Sequence, residues 1–215
     1  VSTLYIIAGS NGAGKSSTGP GLLPDAVIQK HPPFDGDKLK SSKQLEFRKQ
    51  VGSYKEAGRM ADEYVDQAFE EQYKFALDNN EDFVYEGHFT EDYSWNLIRI
   101  FKDRGYKVSM IFMGLESVEV SLDRVFKRAL NGGHNVPPYE VDKNYYGNLY
   151  KLNEYFELLD ELIILDSSEE LVTQIAIWKE GQMKFNLSFE EIPEWVIKYL
   201  PDLCKRSKSF GGTLN

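Results

Sequence analysis

The octet Gly9-Ser10-Asn11-Gly12-Ala13-Gly14-Lys15-Ser16 matches G-x-x-x-x-G-K-[ST] at every fixed position and directly follows the apolar run Leu4-Tyr5-Ile6-Ile7-Ala8. The chemistry of such a loop is anion binding. Glycines let the backbone fold back until its N–H groups surround phosphates, a lysine reaches the outer phosphates, and a hydroxyl is offered to Mg²⁺. Gly9, Ser10, Asn11, Gly12, Ala13, Gly14, Lys15, Ser16 and Ser17 are therefore the candidate nucleotide-binding residues. Lys15 is also a candidate catalytic group, and Ser16 the candidate Mg²⁺ ligand. The alternative is a glycine-rich strand-to-helix turn with a chance lysine. The strand-like run before the loop and the helix-compatible residues 16–23 after it favour the phosphate loop.

Kinases, switches, motor ATPases and transporters share such a loop, so other residues must decide the reaction. Asp35-Gly36-Asp37 stands where the second strand of a small-molecule kinase would meet its substrate. A carboxylate there can take the proton of an acceptor hydroxyl as the γ-phosphoryl group leaves ATP, and Asp37 is the candidate base, with Asp35 beside it in the substrate site. An ordinary Asp-Gly turn is the competing reading. Glu86, at the end of a short strand and followed by Gly87, could hold a substrate hydroxyl or a water on Mg²⁺; it could equally be a solvated strand end. Arg124 and Arg128 lie four residues apart, on one helix face ahead of Gly132-Gly133, where a mobile lid could bring their guanidinium forks to the transferring phosphoryl group. A solvated face paired with Glu119 and Asp123 is the alternative. His134 is too far from other histidines and from Cys204 for a metal site, and is assigned instead to positioning the lid or a phosphate.

The elements that must hold these groups alternate between strand and helix. Residues 26–34 lead, through Pro32-Pro33, into a strand ending at the acidic triplet; helical spacing runs from Tyr54 to Leu77; Phe83-Val84-Tyr85-Glu86-Gly87 is a third strand. A helix follows over 92–104, a buried strand over 106–115, helices from Ser117 and Tyr139, and a fifth strand over 161–166. Residues 174–178 and 182–187 flank Lys179-Glu180-Gly181 as a hairpin, Pro193 to Leu200 reads as a short helix, and residues 207–215 as a frayed tail. This pattern predicts an α/β fold of the P-loop NTPase, kinase-like type, with a mostly parallel sheet covered on both faces and ligands at the strands' carboxyl ends. Residues 1–170 would form the core, and residues 171–215 a hairpin, short helix and tail packed on the same domain.

Composition narrows the partners. The 215 residues are 41% hydrophobic, enough for one large core, and carry a formal net charge of -9 with no long basic block. A nucleic-acid groove or an acidic-membrane footprint is not expected. With one cysteine there is no intrachain disulfide, and with no long apolar segment and a strand-like start the expected compartment is the cytoplasm.

The strings GSNGAGKSS, FDGD, VYEGHF and RGYKVSMIFMGL, and above all RVFKRALNGGHNVP followed by NYYGNLYKL, resemble the zeta toxin family of P-loop kinases from Leu4 to about Asp166. The resemblance implies ATP-dependent phosphorylation of UDP-amino sugars such as UDP-N-acetylglucosamine, and neutralisation by a small antitoxin protein. It implies that Lys15 binds ATP phosphates, Asp37 is the base, Glu86 lies in the substrate site, and Arg124 and Arg128 belong to the lid. Where the family carries Arg-Arg-Tyr on the helix after the lid, this chain has Lys143-Asn144-Tyr145, so an expected arginine is missing or replaced by the point charge of Lys143. The family's basic residue after the acidic triplet is matched only by Lys38 or Lys40. An ATP-hydrolysing switch or transporter-like ATPase is the alternative, since Leu162 to Asp166 has the form of a Walker B strand, although Ser167 follows where a catalytic glutamate would be expected. A non-catalytic ATP-binding relative is the third reading.

Overall fold

β1 (Thr3–Gly9) buries Leu4, Ile6, Ile7 and Ala8 completely and runs parallel to β3 (Phe83–Gly87) on one side and β4 (Lys107–Gly114) on the other. The computed structural model containing it describes residues 1–133 and 136–207. β2 (Phe34–Asp35) lies parallel to β3, and β5 (Glu161–Asp166) parallel to β4. Burial on both faces explains why these strands read as apolar runs rather than alternating ones. From β1 the chain winds outward to β2, returns to β3, and then crosses β1 to reach β4. The loop after β1 therefore opens where the winding reverses, the place at which α/β sheets accept ligands.

The hairpin of β6 (Thr173–Lys179) and β7 (Gln182–Phe185) adds two antiparallel strands beyond β5, giving seven in the order β2-β3-β1-β4-β5-β6-β7. Glu180 and Gly181 both have positive φ (53° and 73°), the backbone that lets a two-residue turn follow the twist of its strands. The hairpin is thus part of the main sheet. α8 (Glu194–Tyr199) closes over the strand ends, and Trp195 packs so tightly on Gly114 that a Cβ there would sit 2.2 Å from its ring. α9 (Pro201–Cys204) follows, and Ser207 is buried and bridged to Met183. Ser207 is therefore not part of a frayed tail; residues 208–215 of that expected tail lie outside the described residues.

Three local expectations change. The helix after the phosphate loop, α1 (Lys15–Thr18), stops at Thr18, because Pro20 and its flanking glycines turn the next residues into a single 3-10 turn. Residues 26–28 lie in α2 (Asp25–Lys30), not in an extended approach to β2. The acidic triplet does end β2, but it also starts α3 (Gly36–Val51), a helix with no buried residue and hence no apolar period to read. α3 packs along α4 (Tyr54–Asn79) to form a helical hairpin over the β2 edge. α5 (Asp92–Asp103), α6 (Val118–Leu130) and α7 (Pro138–Tyr155) complete the layers around a core that includes Trp95, Phe101 and Met110. Among the described residues no helix is long and apolar enough to cross a membrane.

Candidate active site

Left-handed backbone shapes the loop between β1 and α1: φ is 75° at Gly12 and 88° at Gly14. Neighbouring elements pull its carbonyls backward. Ser121 Oγ on α6 donates to Asn11 O at 2.6 Å, Arg124 Nη1 to Gly12 O at 3.3 Å, and Ser167 Oγ, after β5, to Ala13 O at 2.9 Å. In a trans peptide the N–H opposes the C=O, so anchoring the Asn11 and Ala13 carbonyls turns the Gly12 and Gly14 N–H groups the other way, toward the cavity that both residues line. Lys15 folds over its own loop, its Nζ donating to Gly9 O at 3.0 Å and Ser10 O at 2.9 Å. Burial lowers its pKa to about 8, against the pull of Glu86, Asp37 and Asp35. Gly9, Ser10 and Ala13 form the rear of the loop, whereas Asn11, Gly12, Gly14, Lys15, Ser16 and Ser17 line a cavity of about 520 Å³.

Asp35, Asp37 and Glu86 converge on the same cavity. Strand register does part of this, since β2 sets Asp35 beside Glu86. Ser16 Oγ meets Glu86 Oε1 at 2.5 Å and Asp35 Oδ2 at 3.3 Å. Asp35 also caps α3, its Oδ1 accepting from Lys38 N at 2.9 Å. Glu86 is buried, and desolvation raises its carboxyl above the usual range despite the Ser16 hydrogen bond. Asp37, in the first turn of α3, keeps its side chain 74% exposed at the cavity mouth. Among the described residues no three His, Cys, Asp or Glu side chains are arranged to hold a metal ion. Asp166, the Walker-B-like residue, sits elsewhere: Trp195 Nε1 donates to its Oδ2 at 2.9 Å and Ser168 N to its Oδ1 at 2.8 Å.

The two arginines part company. Arg124 is tied to the backbone, reaching Ser168 O at 2.5 Å as well as Gly12 O, and its Cβ stands 2.9 Å from where a Cβ on Gly12 would be. Both arginines line the cavity, and Arg128, one turn on, is the more exposed of the two. His134 lies outside the described residues. Lys143 pairs with Glu91 at 2.7 Å on the surface and does not line the cavity, so it does not stand in for the missing arginine. Lys38 lines the cavity, while Lys40 pairs with Asp62 at 2.6 Å.

Sequence reasoning missed a buried polar chain under the loop. Asn144 Nδ2 donates to Asn11 Oδ1 at 2.8 Å, and Asn148 Nδ2 to Asn144 O at 2.6 Å. Asn148 Nδ2 also lies 3.1 Å from His88 Nδ1, and His88 Nε2 is 3.9 Å from Asp37 Oδ2. Asn144 thus takes the inward place on α7 beside the outward Lys143. The available signal was the four-residue spacing of two asparagines on a helix, which puts both on one face.

Comparison with known families settles the lineage: the zeta toxin family model matches residues 2–173. The chain belongs to the zeta toxin family. Its seven-stranded, mostly parallel α/β sheet is the P-loop NTPase fold of that family. Among solved structures, a chain of the AvrRxo1-ORF1:AvrRxo1-ORF2 complex with sulphate ions matches at 17% identity and TM-score 0.64, over 96% of this zeta toxin family member and 76% of that chain. The AvrRxo1-ORF1:-ORF2 complex with ATP matches at 18% identity and TM-score 0.63, with the same coverage of 96% and 76%. A structure from the PezAT chromosomal toxin-antitoxin system of Streptococcus pneumoniae matches at 16% identity and TM-score 0.55, over 95% of this chain and 87% of that one. A comparison with curated proteins gave no match.

Proposed function

We propose that this zeta toxin family protein is an ATP-dependent kinase that transfers the γ-phosphoryl group to a hydroxyl of a UDP-amino sugar such as UDP-N-acetylglucosamine. The observation that carries this reading is the single cavity edge shared by the phosphate loop and three carboxylates, one of them the exposed Asp37. A switch ATPase needs no acceptor-side base, and its Walker-B-like Asp166 is bound to Trp195 instead.

In this reading the N–H groups of Gly12 and Gly14 and the Lys15 ammonium receive the β- and γ-phosphates of ATP. Lys15 exchanges its two loop carbonyls for phosphate oxygens. Asp37 takes the acceptor hydroxyl's proton as that oxygen bonds to phosphorus and ADP departs. Asp35 and Glu86 hold the sugar nucleotide or ordered water near Ser16. The Ser16 hydroxyl and its neighbouring carboxylates fit a Mg²⁺ ion held largely by phosphates and waters, which would neutralise phosphate charge. A small antitoxin protein is the proposed partner, in keeping with the toxin-antitoxin system to which the PezAT relative belongs.

Incubation with ATP, Mg²⁺ and a panel of sugar nucleotides, followed by mass spectrometry, tests the reaction. A phosphorylated UDP-amino sugar is the expected product. Free phosphate alone supports the switch, and unconsumed ATP the binding-only relative.

Both arginines should register in the same assay. Arg128→Ala is expected to lower turnover by roughly 10²-fold, as for removal of a preorganised charge stabiliser. Arg124→Ala should also lower melting temperature, because it strips donors from the Gly12 and Ser168 carbonyls at about 1 kcal/mol each. A wild-type melting temperature in Arg124→Ala would remove its anchoring role.

A further inference from the structure

His88 follows β3 with its side chain only 16% exposed, and burial together with the nearby Lys15 charge lowers its pKa well below the ordinary value. The ring is therefore neutral near pH 7, with one N–H and one acceptor nitrogen. Which nitrogen carries the proton follows from Asn148. The Asn148 Oδ1 accepts from the Phe89 backbone N–H at 2.8 Å, and a backbone amide can only donate, so the side-chain orientation is fixed. Its Nδ2 then gives one N–H to Asn144 O at 2.6 Å and the other to His88 Nδ1 at 3.1 Å in preference to Gly9 O at 3.5 Å, so Nδ1 accepts. The competing tautomer, with the proton on Nδ1, would set two donors against each other at 3.1 Å. The proton consequently resides on Nε2.

Among the described residues two groups face Nε2. Asn11 Nδ2, at 3.4 Å, is itself a donor while its Oδ1 accepts from Asn144, so the Nε2–H form leaves its donor–donor contact at the longer distance, 3.4 Å against 3.1 Å. Asp37 Oδ2, at 3.9 Å, is an acceptor. That distance is beyond a hydrogen bond, but an exposed aspartate needs to swing by only about 1 Å to close it, and catalytic hydrogen bonds are often long before substrate arrives. We propose that His88 is a positioning residue whose Nε2–H, fixed by Asn148, directs the Asp37 carboxylate toward the acceptor hydroxyl. This rests on the reading of Asp37 as the base. It assigns a use to the amide chain: α7 and the end of β3 together set the direction of a carboxylate that α3 alone leaves free to turn.

The test has a structural and a kinetic arm. Nitrogen NMR of histidine-labelled protein, with His88 assigned by its loss in His88→Gln, reads the tautomer without any turnover. An Nε2–H form is expected, and an Nδ1–H form overturns the proposal. In the kinase assay, His88→Leu should lower kcat by roughly 10- to 100-fold with the KM for ATP unchanged, the scale of a misdirected catalytic group. His88→Gln places an amide N–H near the Nε2 position and should recover most of that loss. His88→Asn, whose amide reaches only to the Nδ1 position, should not. Full turnover in His88→Leu with Asp37→Asn inactive defeats the positioning role alone. Full turnover in Asp37→Asn defeats the base assignment and the His88 role with it, and equal losses in all three His88 variants would mark His88 as a packing residue.

Discussion

Lys15→Ala is expected to abolish ATP binding while leaving the protein folded. The ammonium is the one cation inside the loop, and in the proposed site it would meet the outer phosphates where burial keeps water from screening it. Its removal should not unfold the chain, since two effects oppose. Gly9 O and Ser10 O lose a donor, costing about 1 kcal/mol each, while the penalty of burying an ammonium disappears. That penalty has a pH signature. With a folded pKa of about 8 against 10.5 in the unfolded chain, the unfolded state binds more protons between those values, so wild-type stability should gain a rising contribution from pH 8 to 10.5. Lys15→Ala should lack that increment. Titration calorimetry with Mg-ATP and denaturant unfolding at two pH values measure both. Equal ATP affinity in a folded Lys15→Ala variant would sink the nucleotide-site assignment.

The loop was legible because its ingredients are contiguous: one strand, eight residues and a turn carry nearly all of its geometry. The central strands were legible for a related reason, since parallel strands buried on both faces must be apolar throughout. α3 was not. Its residues Lys38 to Gln50 are largely charged and polar, no side chain on it is buried, and it is held by its Asp35 cap and by packing along α4, neither of which leaves a period in the sequence. The two-residue β2 was legible only through its acidic terminus.

Within the site, residue type pointed to Asp37, Glu86 and the arginines, but type cannot tell what a side chain already holds. Arg124 and Arg128 look alike in sequence. Folding gives Arg124 the Gly12 and Ser168 carbonyls to hold, and of the two arginines that line the cavity it leaves Arg128 the more exposed. Asn144 and Asn148 escaped notice because a buried amide gains its meaning from partners 133 and 60 residues away, in the phosphate loop and just after β3. The Lys143 question was decided by helix geometry, since adjacent residues point about 100° apart and only Asn144 faces inward.

Asp37→Asn should retain ATP binding and lose phosphoryl transfer by about 10²- to 10⁴-fold, the contribution of a positioned base. The three carboxylates at the cavity are not equivalent candidates. Asp35 has both oxygens committed, one to the α3 cap and one to Ser16. Glu86 accepts from Ser16 and is buried, and its raised pKa reflects a cost of carrying charge there. Asp37 remains exposed at the mouth, where an acceptor hydroxyl can reach it. Asparagine keeps the shape and a hydrogen-bonding oxygen but cannot take a proton, so the loss should fall on kcat. ATP affinity should hold or rise slightly, because one negative charge near the phosphates is gone. Single-turnover transfer measured beside equilibrium ATP binding separates these effects. A variant that transfers at the wild-type rate would move the base to Asp35 or Glu86; one that loses ATP binding in parallel would make Asp37 a structural part of the nucleotide site.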